Sequence, residues 1–244
     1  MCGRYTIKNA SIDTVKVSLR ELTRASWEQM LEWERQALGA TYNACPSQSL
    51  PTATLDADGV LHAHFMQWGL VPFWTGADKP KMAPANARSE EAFAKPMFRQ
   101  AVQRRRCAVV ADGFYEWKRV TEDLKIPHHI QLRSGRPFFI AGVYEEASET
   151  RPPTYALLTT RPNALMEDIH DRMPVILDED SARVWLTPGP ISADTVAQVS
   201  APYRADAMEA WPVSRLVNSV RNNAPELVAR AAAEPPPAQG DLFL

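Results

Sequence analysis

The chain has 244 residues, 45% of them apolar, and a formal net charge of −2 from 27 basic and 29 acidic side chains. That apolar content supports a buried core, in one large domain or two small ones, and the charge excludes a surface coated for nonspecific nucleic-acid binding. With no run of 18 or more apolar residues and no charged-then-apolar opening segment, neither a membrane-spanning nor a secreted protein is expected.

The opening, Met1-Cys2-Gly3-Arg4-Tyr5, places a small residue after the initiator methionine, so Met1 is expected to be removed. Cys2 would then carry a free α-amine and a thiol on neighbouring carbons. Such a 1,2-aminothiol condenses with an aldehyde to a Schiff base, and the thiol closes onto the imine carbon as a five-membered thiazolidine. The plain alternative is a processed terminus with a buried cysteine. Glutamine amidotransferases also open Met-Cys-Gly, but with an apolar residue and a glycine next, where this chain has Arg4-Tyr5.

Residues 11 to 38 space Val15, Leu19, Leu22, Trp27, Met30, Leu31 and Trp33 at helical intervals, predicting one or two amphipathic helices. From there to about residue 178, short apolar runs between turn residues predict strands, among them Val109-Val110, Phe138-Phe139-Ile140 and Tyr155 to Leu158. Asp178-Glu179-Asp180-Ser181 reads as an acidic helix start leading into Ala182 to Leu186. The end differs: Ala231 to Ala238, with Pro235-Pro236-Pro237, predicts an extended tether after residue 230.

Cys2, Cys45 and Cys107 are odd in number and form no CxxC pair, so neither a disulfide framework nor a zinc site is expected, and a reducing cytoplasm fits best. A local basic groove has candidates in Arg88, Arg99, the run Arg104-Arg105-Arg106 and Arg172, although charge runs also make ordinary solvated faces.

Four further segments set polar groups beside glycine, proline or aromatics: Tyr42-Asn43-Ala44-Cys45-Pro46, Asn86-Ala87-Arg88-Ser89-Glu90, Asp112 to Trp117, and Asp168-Ile169-His170-Asp171-Arg172-Met173-Pro174. With the opening pentapeptide, in this order, they resemble the SRAP (SOS response-associated peptidase) family. The resemblance runs from Cys2 to about Leu227 and takes in Trp68-Gly69-Leu70-Val71-Pro72 and Val213-Ser214-Arg215.

The resemblance implies that Cys2 attacks the ring-opened aldehyde of an abasic deoxyribose in single-stranded DNA and forms a thiazolidine crosslink. It implies catalytic roles for Cys2, Asn86, Glu116 and His170. Glu116, between Tyr115 and Trp117, sits where water should be scarce; the ionised carboxyl is then disfavoured and can shuttle protons, whereas a surface strand position is the plain alternative. His170, as an imidazole, suits opening of the sugar hemiacetal. Asn86 would hold the Cys2 terminus or a sugar hydroxyl, unless it is only a turn residue after Pro84. Arg88, two residues on, falls on the same side of an extended segment.

By the same resemblance Arg4, Arg88 and Arg172 contact phosphates, Thr159 lies near the lesion with Thr160 as its neighbour, and Pro46, Phe73 and Trp74 form an apolar wedge against bases. Phe73 stands where the family can carry Trp, and Cys45 where Ala is common. His62, His64, His128 and His129 lack such context and are expected to be structural or exposed.

Gln239-Gly240-Asp241-Leu242-Phe243 resembles the peptide by which bacterial repair proteins dock on the sliding clamp, with Gln239, Asp241, Leu242 and Phe243 as its contacts; a disordered apolar end is the alternative. The expected architecture is a single α+β domain over 1–230, twisted mostly antiparallel sheets with packed helices closing a groove around Cys2, and a tail over 231–244. The expected protein is a monomer without cofactor or metal, cytoplasmic and nucleoid-associated if the source is bacterial. An N-terminal-cysteine protease or amidase is the competing function, and a noncovalent DNA-binding module the third.

Overall fold

The structure, a computed structural model, describes residues 2–8, 39–75 and 83–231. The helices expected over 11–38, Met1 and the tail from residue 232 lie outside them. Among the described residues, β1 (Arg4–Ile7), β2 (Thr41–Ala44), β7 (Gly113–Arg119), β8 (Lys125–Leu132) and β13 (Met208–Pro212) form a five-stranded sheet in the order β13-β8-β7-β1-β2.

The second sheet holds β3 (Ser49–Leu55), β4 (Leu61–Trp68), β5 (Asn86–Arg88), β6 (Arg106–Ala111), β9 (Phe138–Glu145), β10 (Thr154–Thr160), β11 (Met173–Pro174) and β12 (Ile176–Leu177). Its pairings β10 to β4, β4 to β3, β3 to β6, β6 to β9 and β9 back to β10 make a closed circuit, so these five strands form a barrel. Most pairs are antiparallel; β10 runs parallel to both β4 and β5. The fold is α+β.

Local chemistry explains the elements. Every residue of β6 and of β10 is buried, as the apolar stretches Val109-Val110 and Tyr155 to Leu158 predict for inner strands, and Arg106 and the β10 threonines are buried with them. The β3–β4 hairpin turns on Asp56, whose Oδ1 accepts from the Asp58 and Val60 amides, and on Gly59 at φ 74°. A helix follows at Glu179–Leu186, where Asp178 and Ser181 cap one another reciprocally. The strand pattern expected up to residue 178 is interrupted, however: Pro96–Arg104 is a helix, begun by Pro96 in its first turn and burying Phe98, Ala101 and Val102. A short helix at Ala193–Val199 completes the set among the described residues; in chain order the three are α1, α2 and α3.

The run Arg104-Arg105-Arg106 divides: Arg104 is exposed, Arg105 lines a surface cleft with Phe73 and Glu145, and only Arg106 is buried. Arg106 is buried and donates to the carbonyls of Gln103, Trp185 and Gly189, tying the end of α1 to the end of α2. Arg105 pairs with the buried Glu145 at 2.9 Å.

Candidate active site

Strand β1 lies between β7 and β2, with Arg4 opposite Tyr115 and Tyr5 opposite Phe114. Cys2, just before it, is fully buried in an apolar cluster with Tyr5, Trp68 and Tyr155. The Tyr5 and Tyr155 hydroxyls meet at 2.7 Å, and Trp68 stacks on Tyr155. Burial pushes the Cys2 thiol pKa far up, with the nearby Glu116 charge adding to the shift, so the resting group is a neutral thiol. Its Sγ lies 3.7 Å from the Arg4 carbonyl oxygen.

Asn86 reaches this terminus because β5 lies parallel to β10, with Asn86 opposite Leu157. Its Nδ2 donates to the Cys2 carbonyl oxygen at 2.8 Å. Its Oδ1 is buried and finds no partner among the described residues, which leaves one acceptor of this side chain open.

Glu116 is buried to 1% exposure in β7, paired in register with His128 of β8. Burial pushes its carboxyl up to about 7. Its Oε2 is 3.7 Å from His170 Nε2. The Arg172 amide donates to His170 Nδ1 at 3.0 Å, which places the proton of the neutral ring on Nε2, facing Glu116. Nδ1 also lies 2.9 Å from Asp171 Oδ1, a contact that helps only a protonated Nδ1. Asp171 is largely solvated, and burial lowers the His170 pKa, so the neutral ring is the resting form. A cleft of about 450 Å³ bordered by Trp117, Arg119, Lys125, Ile169 and His170 opens beside these groups.

The four sequence-predicted catalytic residues thus converge as two contacts, Asn86 on Cys2 and His170 on Glu116. The predicted DNA-binding residues divide into engaged and exposed sets. Arg4 donates from Nη1 to Asn43 Oδ1 at 2.8 Å and to the Val217 carbonyl at 2.7 Å. Asn43 Nδ2 in turn donates to the Ser219 and Asn222 carbonyls, so the pair straps the 217–222 segment beside β1. Arg172 makes a two-pronged pair with Glu90, at 2.9 and 2.8 Å, and donates to the Thr159 carbonyl at 2.6 Å. Thr159 is fully buried, opposite Arg88 in the β10–β5 register.

Arg88 is half exposed and pairs with Glu91 at 3.1 Å. Phe73 and Trp74 are 53% and 50% exposed, with rings edge to face at 5.0 Å, and Pro46 is exposed in the turn after β2. Two exposed aromatics side by side on a loop are unusual for a packing role.

Among the histidines without context, His129 is fully buried against Tyr115 and Trp211, while His62 and His64 stand on the half-buried face of β4. No group of three metal-ligating side chains occurs among the described residues. Sequence reasoning missed Asn43, although Tyr42-Asn43 was in a flagged segment, and missed the roles of Glu90 and Glu91, whose only signal is their adjacency to Arg88.

A sequence model of the SOS response associated peptidase (SRAP) family matches residues 1–220. Relatives include abasic site processing protein YoqW of Bacillus subtilis, 40% identical over 93% of this chain and 99% of its own. Abasic site processing protein YedK of Escherichia coli is 30% identical over 93% of this chain and 99% of its own. Among solved structures, a protein from Bacteroides thetaiotaomicron superposes with a TM-score of 0.76 at 26% identity, covering 95% of this chain and all of that one. With the family model spanning most of its length, the chain belongs to the SRAP family.

Proposed function

We propose that the protein captures abasic sites in single-stranded DNA by a thiazolidine crosslink at Cys2, after Met1 is removed by the protein itself. The observation that carries the reading is the convergence of Asn86 on the Cys2 carbonyl with the buried Glu116 carboxyl facing His170. Relatives named abasic site processing proteins support the substrate class.

The chemistry balances with the groups present. The Cys2 amine adds to the ring-opened sugar aldehyde, and the carbinolamine loses water to give an imine. The thiol sulfur then bonds to the imine carbon while its proton passes to nitrogen. One water leaves in all. Glu116, with a pKa of about 7, is populated in both forms at neutral pH, so it can protonate the departing hydroxyl and accept the thiol proton. A neutral buried thiol needs such a base, because little thiolate exists at rest. Neutral His170, with its proton on Nε2, assists opening of the sugar hemiacetal.

Arg4, Arg88 and Arg172 guide phosphates, and Thr159, whose carbonyl accepts from Arg172, lies near the lesion. Pro46, Phe73 and Trp74 stack on the bases flanking the lesion, where a π-face tolerates any sequence. The peptide Gln239 to Phe243, on its tether beyond residue 230, docks on the sliding clamp; deleting Gln239 to Leu244 should abolish clamp pull-down and leave crosslinking intact.

The experiment is a denaturing gel of purified protein mixed with single-stranded DNA carrying one abasic site, beside Cys2→Ala. A heat-stable shifted band that Cys2→Ala lacks supports the reading. The family's name, SOS response associated peptidase, keeps a second reading, hydrolysis of peptide or amide bonds in other substrates by Cys2. Turnover of such substrates without any DNA adduct would select it.

A further inference from the structure

Two adjacent carboxylates sit on the 3₁₀ turn Ser89–Glu91, directly after the strand that carries Asn86 and Arg88. Each holds one of the arginines beside the reactive terminus. Glu90 Oε1 and Oε2 accept from Nη1 and Nη2 of Arg172, the edge of the guanidinium that a phosphate would use in the same two-pronged way. Glu91 accepts from Arg88 at 3.1 Å and also pairs with Lys95.

The burial is unequal. The Arg172 side chain is 13% exposed and the Glu90 side chain 52% exposed, so the carboxylate caps the guanidinium from the solvent side. The inward Nη2 bond goes to the Thr159 carbonyl, and Nε is buried without a partner. The hydrogen bonds from Arg172 keep Glu90 below the usual carboxylate range, hence ionised at neutral pH. A phosphate can take this edge of Arg172 only when Glu90 leaves it. The Glu90 side chain is 52% exposed, so water can solvate it once a phosphate takes its place, and the exchange trades one two-pronged pair for another.

We propose that Glu90, with Glu91 beside it, competes with DNA phosphates for Arg172 and Arg88, so that intact single strands bind weakly and the covalent step at Cys2 selects the damaged ones. This rests on the capture reading above. It also accounts for phosphate guidance by a chain of net charge −2: the arginines are neutralised until a strand displaces the carboxylates.

The test is fluorescence anisotropy with a labelled, lesion-free single-stranded oligonucleotide over a salt series, comparing wild type, Glu90→Gln, Glu91→Gln and the Glu90→Gln/Arg172→Gln double variant, with melting curves for each. Glu90→Gln should tighten binding roughly three- to tenfold and steepen the dependence of log affinity on log salt by roughly 0.7, the increment for one added phosphate contact on a single strand. The gain should vanish in the double variant. Unchanged or weaker binding by a folded Glu90→Gln protein overturns the proposal, as does a gain that survives loss of Arg172. Should Glu90→Gln fail to fold, Glu91→Gln decides alone: tighter binding supports competition, and no gain overturns it. An abasic-site adduct assay run in parallel separates the two readings, because wild type that binds intact strands but forms no Cys2 adduct overturns capture while anisotropy still decides competition.

Discussion

Asn86 donates its side-chain amide to the carbonyl of Cys2 at 2.8 Å, bridging residues that are 84 positions apart in the chain. In the proposed capture this bond would fix the peptide next to the Cys2 amine and thiol, so that the terminus meets an aldehyde in one orientation. Replacing Asn86 with Ala removes this donor and the buried Oδ1 acceptor together. Crosslinking should slow by about 10- to 100-fold, the usual cost of lost orientation in a positioned reaction. Single-turnover rates by quenched gel time course measure it, and an unchanged rate would reduce Asn86 to a turn residue.

Glu116 makes a prediction about pH. Its carboxyl ordinarily titrates at 4.5 and in the fold at about 7, because burial disfavours the charge. Between those values the folded state holds a proton that the unfolded state has lost, so the contribution of Glu116 to stability is fully present below pH 4.5 and is lost as pH rises through about 7. The loss is of order 3 kcal/mol. Glu116→Gln should flatten this dependence and melt higher than wild type at pH 8. The same variant should crosslink roughly 100-fold more slowly and lose the decline in rate above pH 7 that deprotonation of the acid produces. Thermal melts and rates from pH 5 to 9 check both halves.

Phe73 and Trp74 are about half exposed, so Ala at either position should change stability by no more than about 0.5 kcal/mol. Stacking on bases predicts a separate loss of about 1–3 kcal/mol in binding of lesion-containing single strands. A melt and a binding titration on the same preparations distinguish the two, and equal binding by Phe73→Ala/Trp74→Ala would remove the wedge.

Gly113 tests the packing beneath the site. A Cβ there would overlap His129 Nε2 and stand 2.8 Å from Thr6 Oγ1. Thr6 is held by Asp112 at 2.6 Å and His129 is wedged between Tyr115 and Trp211. Gly113→Ala should cost about 1–3 kcal/mol in a denaturant melt, the range of overpacked cores.

Much of this was legible in the chain because it is local chemistry. Val109-Val110, Phe138 to Ile140 and Tyr155 to Leu158 are strands, and the Asp178 helix start is a reciprocal cap. Glu116 between Tyr115 and Trp117 is buried, as its aromatic neighbours imply. What was illegible is long-range. Nothing around Asn86 announces a parallel pairing with Leu157, and only that pairing, with the barrel's closure through β10 and β9, brings Asn86 to Cys2. Helix α1 was hidden because Phe98, Ala101 and Val102 give too short an apolar stripe among charged residues. The arginine roles were blurred for a related reason: a guanidinium's partner, whether the main-chain carbonyls around Arg106 or the carboxylate of Glu90, is chosen by the fold.

The most direct test of covalent capture is the intact mass of the protein after reaction with a single-stranded oligonucleotide bearing one abasic site. The account predicts a species equal to the chain without Met1 plus the oligonucleotide minus one water, absent with Cys2→Ala. An adduct that retains Met1, or one that Cys2→Ala still forms, would contradict it.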